Sequence, residues 1–73
     1  MISFSIVPRA NRQAIQICCD EPGLATLIDA LGRLRERGHI HLRTPANGGH
    51  ELSETTPSGQ PAIDEVIVTF GGK

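Results

Sequence analysis

Residues able to do chemistry are concentrated between positions 39 and 54, in the segment HIHLRTPANGGHELSE. This segment contains all three histidines of the 73-residue chain, together with Glu51, Ser53 and Glu54. Such residue types serve metal coordination, phosphate binding by a glycine-rich loop, or nucleophilic catalysis. They also serve recognition of another protein by a polar edge.

The strongest metal hypothesis starts from His39 and His41, a His-x-His pair. On one strand their side chains would lie on the same side, about 7 Å apart. Cys18, with His50 or Glu51, could complete a tetrahedral zinc set. Because no spacing in the chain matches an established zinc motif, a metal-binding or sensing domain is kept as an alternative. We predict no bound metal and no cofactor.

The phosphate and catalytic hypotheses are weaker. A phosphate loop opens a helix and carries a lysine, and neither feature follows Gly48 and Gly49, so we expect a turn with both glycines at positive φ. Ser53, His50 and Glu51 are the residue types of a nucleophile, a base and an orienting carboxylate. A chain of this size forms no deep cavity that excludes water, so we predict that the protein is not an enzyme.

Composition excludes further classes. Seven basic and eight acidic residues nearly cancel, and the only aromatic residues are Phe4 and Phe70, which disfavours nucleic-acid binding. Cys18 and Cys19 are adjacent, would point to opposite faces of a strand and therefore would not pair with each other. The sequence shows neither a leader pattern nor a membrane-spanning apolar run. We expect a soluble cytoplasmic protein without a membrane or nucleic-acid partner.

Hydrophobic patterning predicts the elements that position the segment. Alternation in ISFSIV (2–7) and QAIQICC (13–19) predicts a hairpin, and HIHLRT (39–44) and DEVIVTF (64–70) predict two further strands. Residues 45–62 lack a period and predict a long loop. Between the strand pairs, Asp20 is placed to cap the start of a helix and Gly38 to cap its end. Gly32 inside that helix costs about 1 kcal/mol of stability relative to alanine. Its presence indicates either that another backbone segment approaches it closely or that the helix tolerates this cost.

These elements predict a single α+β domain over residues 1–73, in the order ββαββ, with a four-stranded mainly antiparallel sheet and one helix packed on one face. The helix would place Leu27, Ile28, Leu31 and Leu34 on Ile2, Phe4, Ile6, Ile15, Ile17, Ile40, Leu42, Val66 and Val68. The uncovered face would carry Ser3, Ser5, Val7, Ala14, Gln16, Cys18, His39, His41, Arg43, Ile67 and Thr69. Because that face meets water or a partner, we expect that it can mediate homodimerisation, which makes a self-associating structural module a further alternative.

The stretch LIDALGRLRERGHIHLRTPANGGHELSE (27–54) resembles the Immunity protein 32 family, small bacterial proteins predicted to be antidotes in polymorphic toxin systems. The shared features are a helix ending in a basic run, a GH-x-HL strand, a Thr-Pro step, a Gly-Gly turn and an ELSE segment. The family tends to have Trp before the glycine pair, where this chain has Asn47. The resemblance implies partner binding without chemistry of the chain's own.

We therefore predict a small binding protein that neutralises a cognate toxin through a recognition edge. The expected contact residues are His39, His41, Arg43, Thr44, Asn47, His50, Glu51, Ser53 and Glu54. Charge reversal at Arg43 or Glu51 is expected to leave folding nearly untouched while weakening partner binding.

Overall fold

The computed structural model describes residues 1–71. The elements are β1 (Ile2–Arg9), β2 (Arg12–Cys19), α1 (Glu21–Gly32), α2 (Leu34–Arg37), β3 (His39–Arg43), a 3-10 turn (Pro45–Asn47) and β4 (Glu65–Thr69). The α+β class is confirmed. The single four-stranded sheet is not confirmed, because β1 pairs antiparallel with β2 and β3 with β4, forming two separate two-stranded sheets.

The first hairpin has the predicted alternation but not the predicted burial. Phe4 lies opposite Ile17, and Ile6 lies opposite Ile15, so these residues share one face. Phe4 is buried, whereas Ile6, Ile15 and Ile17 are 62%, 66% and 50% exposed. The prediction that these three isoleucines belong to the core is therefore wrong, because the helix covers only the first half of β1.

The opposite face of β1 is also covered at its start. Ser3 and Ser5, predicted to face solvent, are buried. The long loop lies alongside, with the Ser53 N–H donating to the Ile2 carbonyl at 2.6 Å and the Ile63 N–H donating to the Phe4 carbonyl at 2.8 Å. Alternation alone does not reveal that a second segment bonds to this edge of β1.

The helical segment begins and ends where predicted but is interrupted. Asp20 caps α1 by accepting from the Gly23 N–H at 2.8 Å. The helix breaks at Arg33, and α2 ends at Gly38, whose φ of 81° is the left-handed conformation that glycine adopts without strain. A Cβ at Gly32 would meet nothing within 4 Å, so close backbone approach is not the reason for that glycine.

The core is smaller than predicted and includes a residue from the loop. Its buried apolar members are Ile2, Phe4, Ile40, Leu42 and Leu52. Leu27, Ala30, Leu34, Ile63, Val66 and Val68 pack against them in part. Leu24, Ile28 and Leu31 are 42%, 62% and 44% exposed. The predicted packing of Ile28 and Leu31 on the sheet is therefore wrong, since the side of the helix that meets the core carries Leu27, Ala30 and Leu34 instead.

The loop between β3 and β4 forms hydrogen bonds to both strand pairs, the β1–β2 hairpin and the β3–β4 hairpin, and so links them. The Leu52 N–H donates to the Arg43 carbonyl at 3.1 Å, and Ser53 then bonds to β1. Apart from the short 3-10 turn, residues 45–62 form no helix or strand, as predicted. Over residues 1–71, no helix has the length and apolar character needed to cross a membrane.

Candidate recognition groove along strand β3

An open groove of about 610 Å³ runs between β3 and the helical segment. The helical wall carries Thr26, Asp29, Arg33 and Arg37. Their spacing places them on one flank of the helix, roughly 90° from the side that meets the core. The other wall carries His39 and His41, and His50 and Glu51 also line the groove. Four of the residues predicted from sequence are thus brought to one concave surface.

The backbone of β3 presents an open edge to this groove. The Arg43 N–H donates to Oε1 of Glu51 at 3.2 Å and the Arg43 carbonyl accepts from Leu52, so both groups point away from β4. In an antiparallel strand, the N–H and C=O groups of successive residues point to alternate edges. Those of His39 and His41 therefore point to the same edge as those of Arg43, away from β4. In the described part of the chain, no hydrogen bond is made to these backbone groups of His39 and His41. They are available to pair with another extended segment.

A charged cluster lies on the outer face of β3 and β4, and we call His41, Arg43 and Glu65 the outer cluster. Oε2 of Glu65 is 2.6 Å from Arg43 Nε and 2.9 Å from His41 Nδ1. The hydrogen bond from Arg43, followed by that from His41, holds the pKa of Glu65 below its usual value. Glu65 was not predicted as a site residue, and the signal that finds it is its position directly opposite Arg43 in the strand register.

Glu51 holds the loop against β3. Burial alone would raise the pKa of its carboxyl, but backbone N–H donors, that of Arg43 foremost, outweigh this effect and lower the pKa. Its side chain is 22% exposed, so reversing its charge is expected to disturb the fold, unlike the expectation for an exposed residue.

Gly49 lies in close contact with the same strand. A Cβ there would lie 2.5 Å from Arg43 Cβ and 2.6 Å from the Arg43 carbonyl oxygen. Only Gly48 of the pair has positive φ, at 84°, so the expected conformation is right for one glycine and wrong for the other. Glycine is needed at position 49 because the loop backbone passes close to Arg43 there, and not because of the φ angle of Gly49.

The remaining predicted contact residues differ in how far they are exposed to solvent. Thr44 is buried, and its Oγ1 accepts from Asn47 Nδ2 at 2.9 Å, so Thr44 belongs to the turn and not to a contact surface. Ser53 Oγ donates to the Thr55 carbonyl at 2.9 Å. Glu54 is exposed, and the His50 side chain is 90% exposed. An alternating pattern cannot show that Thr44 is covered, because the loop that covers it is aperiodic.

The structure does not bring together the residues of the metal site or of the catalytic triad that the sequence left open. Within residues 1–71, no group of three or more His, Cys, Asp or Glu side chains is placed to hold a metal ion. Cys18 lies on β2, in the other hairpin from His39 and His41. Across the same residues no hydrogen bond joins Ser53 to His50, so the three residue types of a catalytic triad are present without its geometry.

Comparison of the chain with protein-family models, with curated proteins and with solved structures finds no match.

Proposed function

We propose that this protein is a small binding protein of the immunity type, which neutralises a cognate toxin by direct contact in the cytoplasm. The observation that carries the proposal is the open backbone edge at His39 and His41, which lies in a groove beside exposed polar side chains. The resemblance of residues 27–54 to the Immunity protein 32 family supports the same function.

The edge suggests a mode of binding. An extended segment of the partner would pair with β3 through main-chain hydrogen bonds, the mode that supplies affinity when a strand is added to a sheet. Side chains around the edge would supply specificity. Arg37, which makes no ion pair within residues 1–71, lies on the helical wall, and His50 extends into solvent. We infer that an acidic partner segment fits best, because complementary charge raises association rate and selectivity.

Isothermal titration against a candidate toxin, sought first in the gene adjacent to that of this chain, tests the proposal. Arg37→Glu and His50→Glu are expected to weaken binding at least tenfold, or about 1.4 kcal/mol. Arg35→Glu is the matched control: it reverses the same kind of charge on α2 but lies outside the groove. Co-expression should also protect cells from growth arrest by the toxin.

Binding that survives both reversals would exclude this groove as the interface. Absence of any binding to the candidate toxin would exclude the immunity function toward it.

A further inference from the structure

The first hairpin and α1 share a second exposed surface of different character. Its hairpin part consists of Ile6, Ile15 and Ile17, which lie on one face of the β1–β2 sheet. Its helical part is the flank of α1 that carries Leu24, Ile28 and Leu31, at the spacing of a single stripe. We call these six residues the hairpin surface. The opposite flank of the helix faces the β3 groove, and α1 contacts both β1 and β2, so the apolar stripe lies on the hairpin side.

The outer edge of β2 borders this surface and has no strand beside it. Throughout residues 1–71, no hydrogen bond outside the β1–β2 ladder reaches residues 12–19, whereas β1 receives Ser53 and Ile63 on its other edge. The sequence of β2, RQAIQICC, contains no proline, and its only charged residue is Arg12 at the tip. Proteins usually protect such edges with charges, proline or bulges, and none of these protects the middle or the end of β2.

We infer that two copies of this chain associate through the hairpin surface, with their β2 strands paired antiparallel about a twofold axis. Antiparallel pairing of a strand with its own copy is an isologous contact, in which both copies use the same surface and a residue i that meets residue j of the copy is matched by j meeting i, so the contact closes into a dimer. The pairing would join two hairpins into one four-stranded sheet and bring Ile15 and Ile17 of both copies to the same face.

The size of the surface fits this occupant. Six half-exposed aliphatic side chains present on the order of 100 Å² each, so with the strand backbone they approach the roughly 800 Å² per partner of a standard interface. The six residues carry no charge, and the whole chain has a formal net charge of -1, so two copies repel each other little. A charge-free face beside an open strand is self-complementary, whereas the polar groove along β3 is suited to a different, charged partner.

This placement differs from the homodimer surface predicted from sequence. That surface included Ser3 and Ser5, which are buried. The inferred surface is the opposite face of the first hairpin, which the sequence assigned to the core.

Sedimentation equilibrium of the full chain over a wide concentration range tests the inference. Wild type should show a reversible monomer–dimer equilibrium. Ile15→Lys, at the middle of the free edge, should weaken dimerisation at least tenfold. Ile67→Lys is the matched control, because Ile67 is 57% exposed on β4, outside the hairpin surface, and should dimerise like wild type. A wild-type chain that stays monomeric at high micromolar concentration, or a dimer lost in Ile67→Lys but kept in Ile15→Lys, would overturn the inference.

Hydrogen exchange of the wild-type chain keeps the test decisive if a lysine variant fails to fold. Alternate amides of β2, those directed to the free edge, should exchange more slowly as concentration rises, while the amides of His39 and His41 should not change. β2 exchange that is independent of concentration would overturn the inference without reference to any variant.

Discussion

The two hairpins have the same alternation of apolar and polar residues, but they use it differently. In β3–β4, Ile40 and Leu42 are buried, and His41 between them faces outward. In β1–β2, only the start of β1 is buried and Ile15 and Ile17 remain exposed. The 12-residue α1 spans about 18 Å, whereas an eight-residue strand spans about 27 Å, so one short helix cannot cover both hairpins. Alternation shows which residues share a face, but not whether another element covers that face.

The largest expected effect on stability is the difference between truncating a buried aliphatic residue in β3–β4 and truncating an exposed one in β1–β2. Leu42→Ala should lower the free energy of unfolding by about 2 to 5 kcal/mol, because Leu42 is 2% exposed and its removal leaves a cavity. Ile15→Ala, at 66% exposed, should cost less than about 1 kcal/mol in the monomer. Urea denaturation at a concentration too low for association measures both. Equal losses would contradict the difference in burial between the hairpins.

The helical segment also shows which features the sequence could predict and which it could not. Asp20 and Gly38 were placed correctly as its caps because capping depends on local backbone geometry. The predicted orientation is right for Leu27 and Leu34 and wrong for Ile28 and Leu31, because the apolar residues of the helix occupy a sector wide enough to include two stripes. Leu27, Ala30 and Leu34 form the stripe that packs on the core. Periodicity alone could not choose between the stripes, since that choice depends on where the second hairpin lies.

The candidate site was predicted in part for a similar reason. His39, His41, His50 and Glu51 do line one groove, since strand and loop are adjacent in sequence. The burial of Thr44 and the part played by Glu65 were missed, because both depend on contacts across the aperiodic loop or the strand register. Those contacts are long-range, and no local pattern encodes them.

The next largest effect concerns the loop that ties the hairpins together. Gly49→Ala should destabilise the protein by about 1 to 3 kcal/mol, because the added Cβ would overlap Arg43 and force the loop away from β3. Gly32→Ala is the control: its Cβ meets open space in a helix, so stability should rise by up to about 1 kcal/mol. Thermal melts of both variants measure the pair. A neutral Gly49→Ala would show that the loop does not depend on close approach to β3.

A smaller effect is expected from acid, acting through Glu51. Since the folded state lowers the pKa of this carboxyl, its ionised form contributes stability above the ordinary glutamate pKa of about 4.3. That contribution is lost as pH falls through the lowered folded-state value. Glu51→Gln should therefore cost about 1 kcal/mol at neutral pH and progressively less in acid. Stability curves of wild type and variant that stay parallel from neutral pH into acid would contradict the role of the Glu51 charge.

The smallest effect on stability is expected in the outer cluster, where the charges are exposed and a surface ion pair contributes little to folding. Removing Arg43 should nevertheless be visible locally, because Arg43 is the main cause of the lowered pKa of Glu65. In Arg43→Gln, the pKa of Glu65 should rise toward its usual value, while the unfolding transition barely moves. Arg33→Gln is the control, since Arg33 pairs with Asp29 on α1 and does not contact Glu65. Carbon-detected nuclear magnetic resonance of the Glu65 carboxyl, followed through acid titration, separates the two variants. An unchanged titration in Arg43→Gln would mean that the short Arg43 contact is not maintained in solution, and that the outer face of β3–β4 is a solvated surface without a fixed charge arrangement.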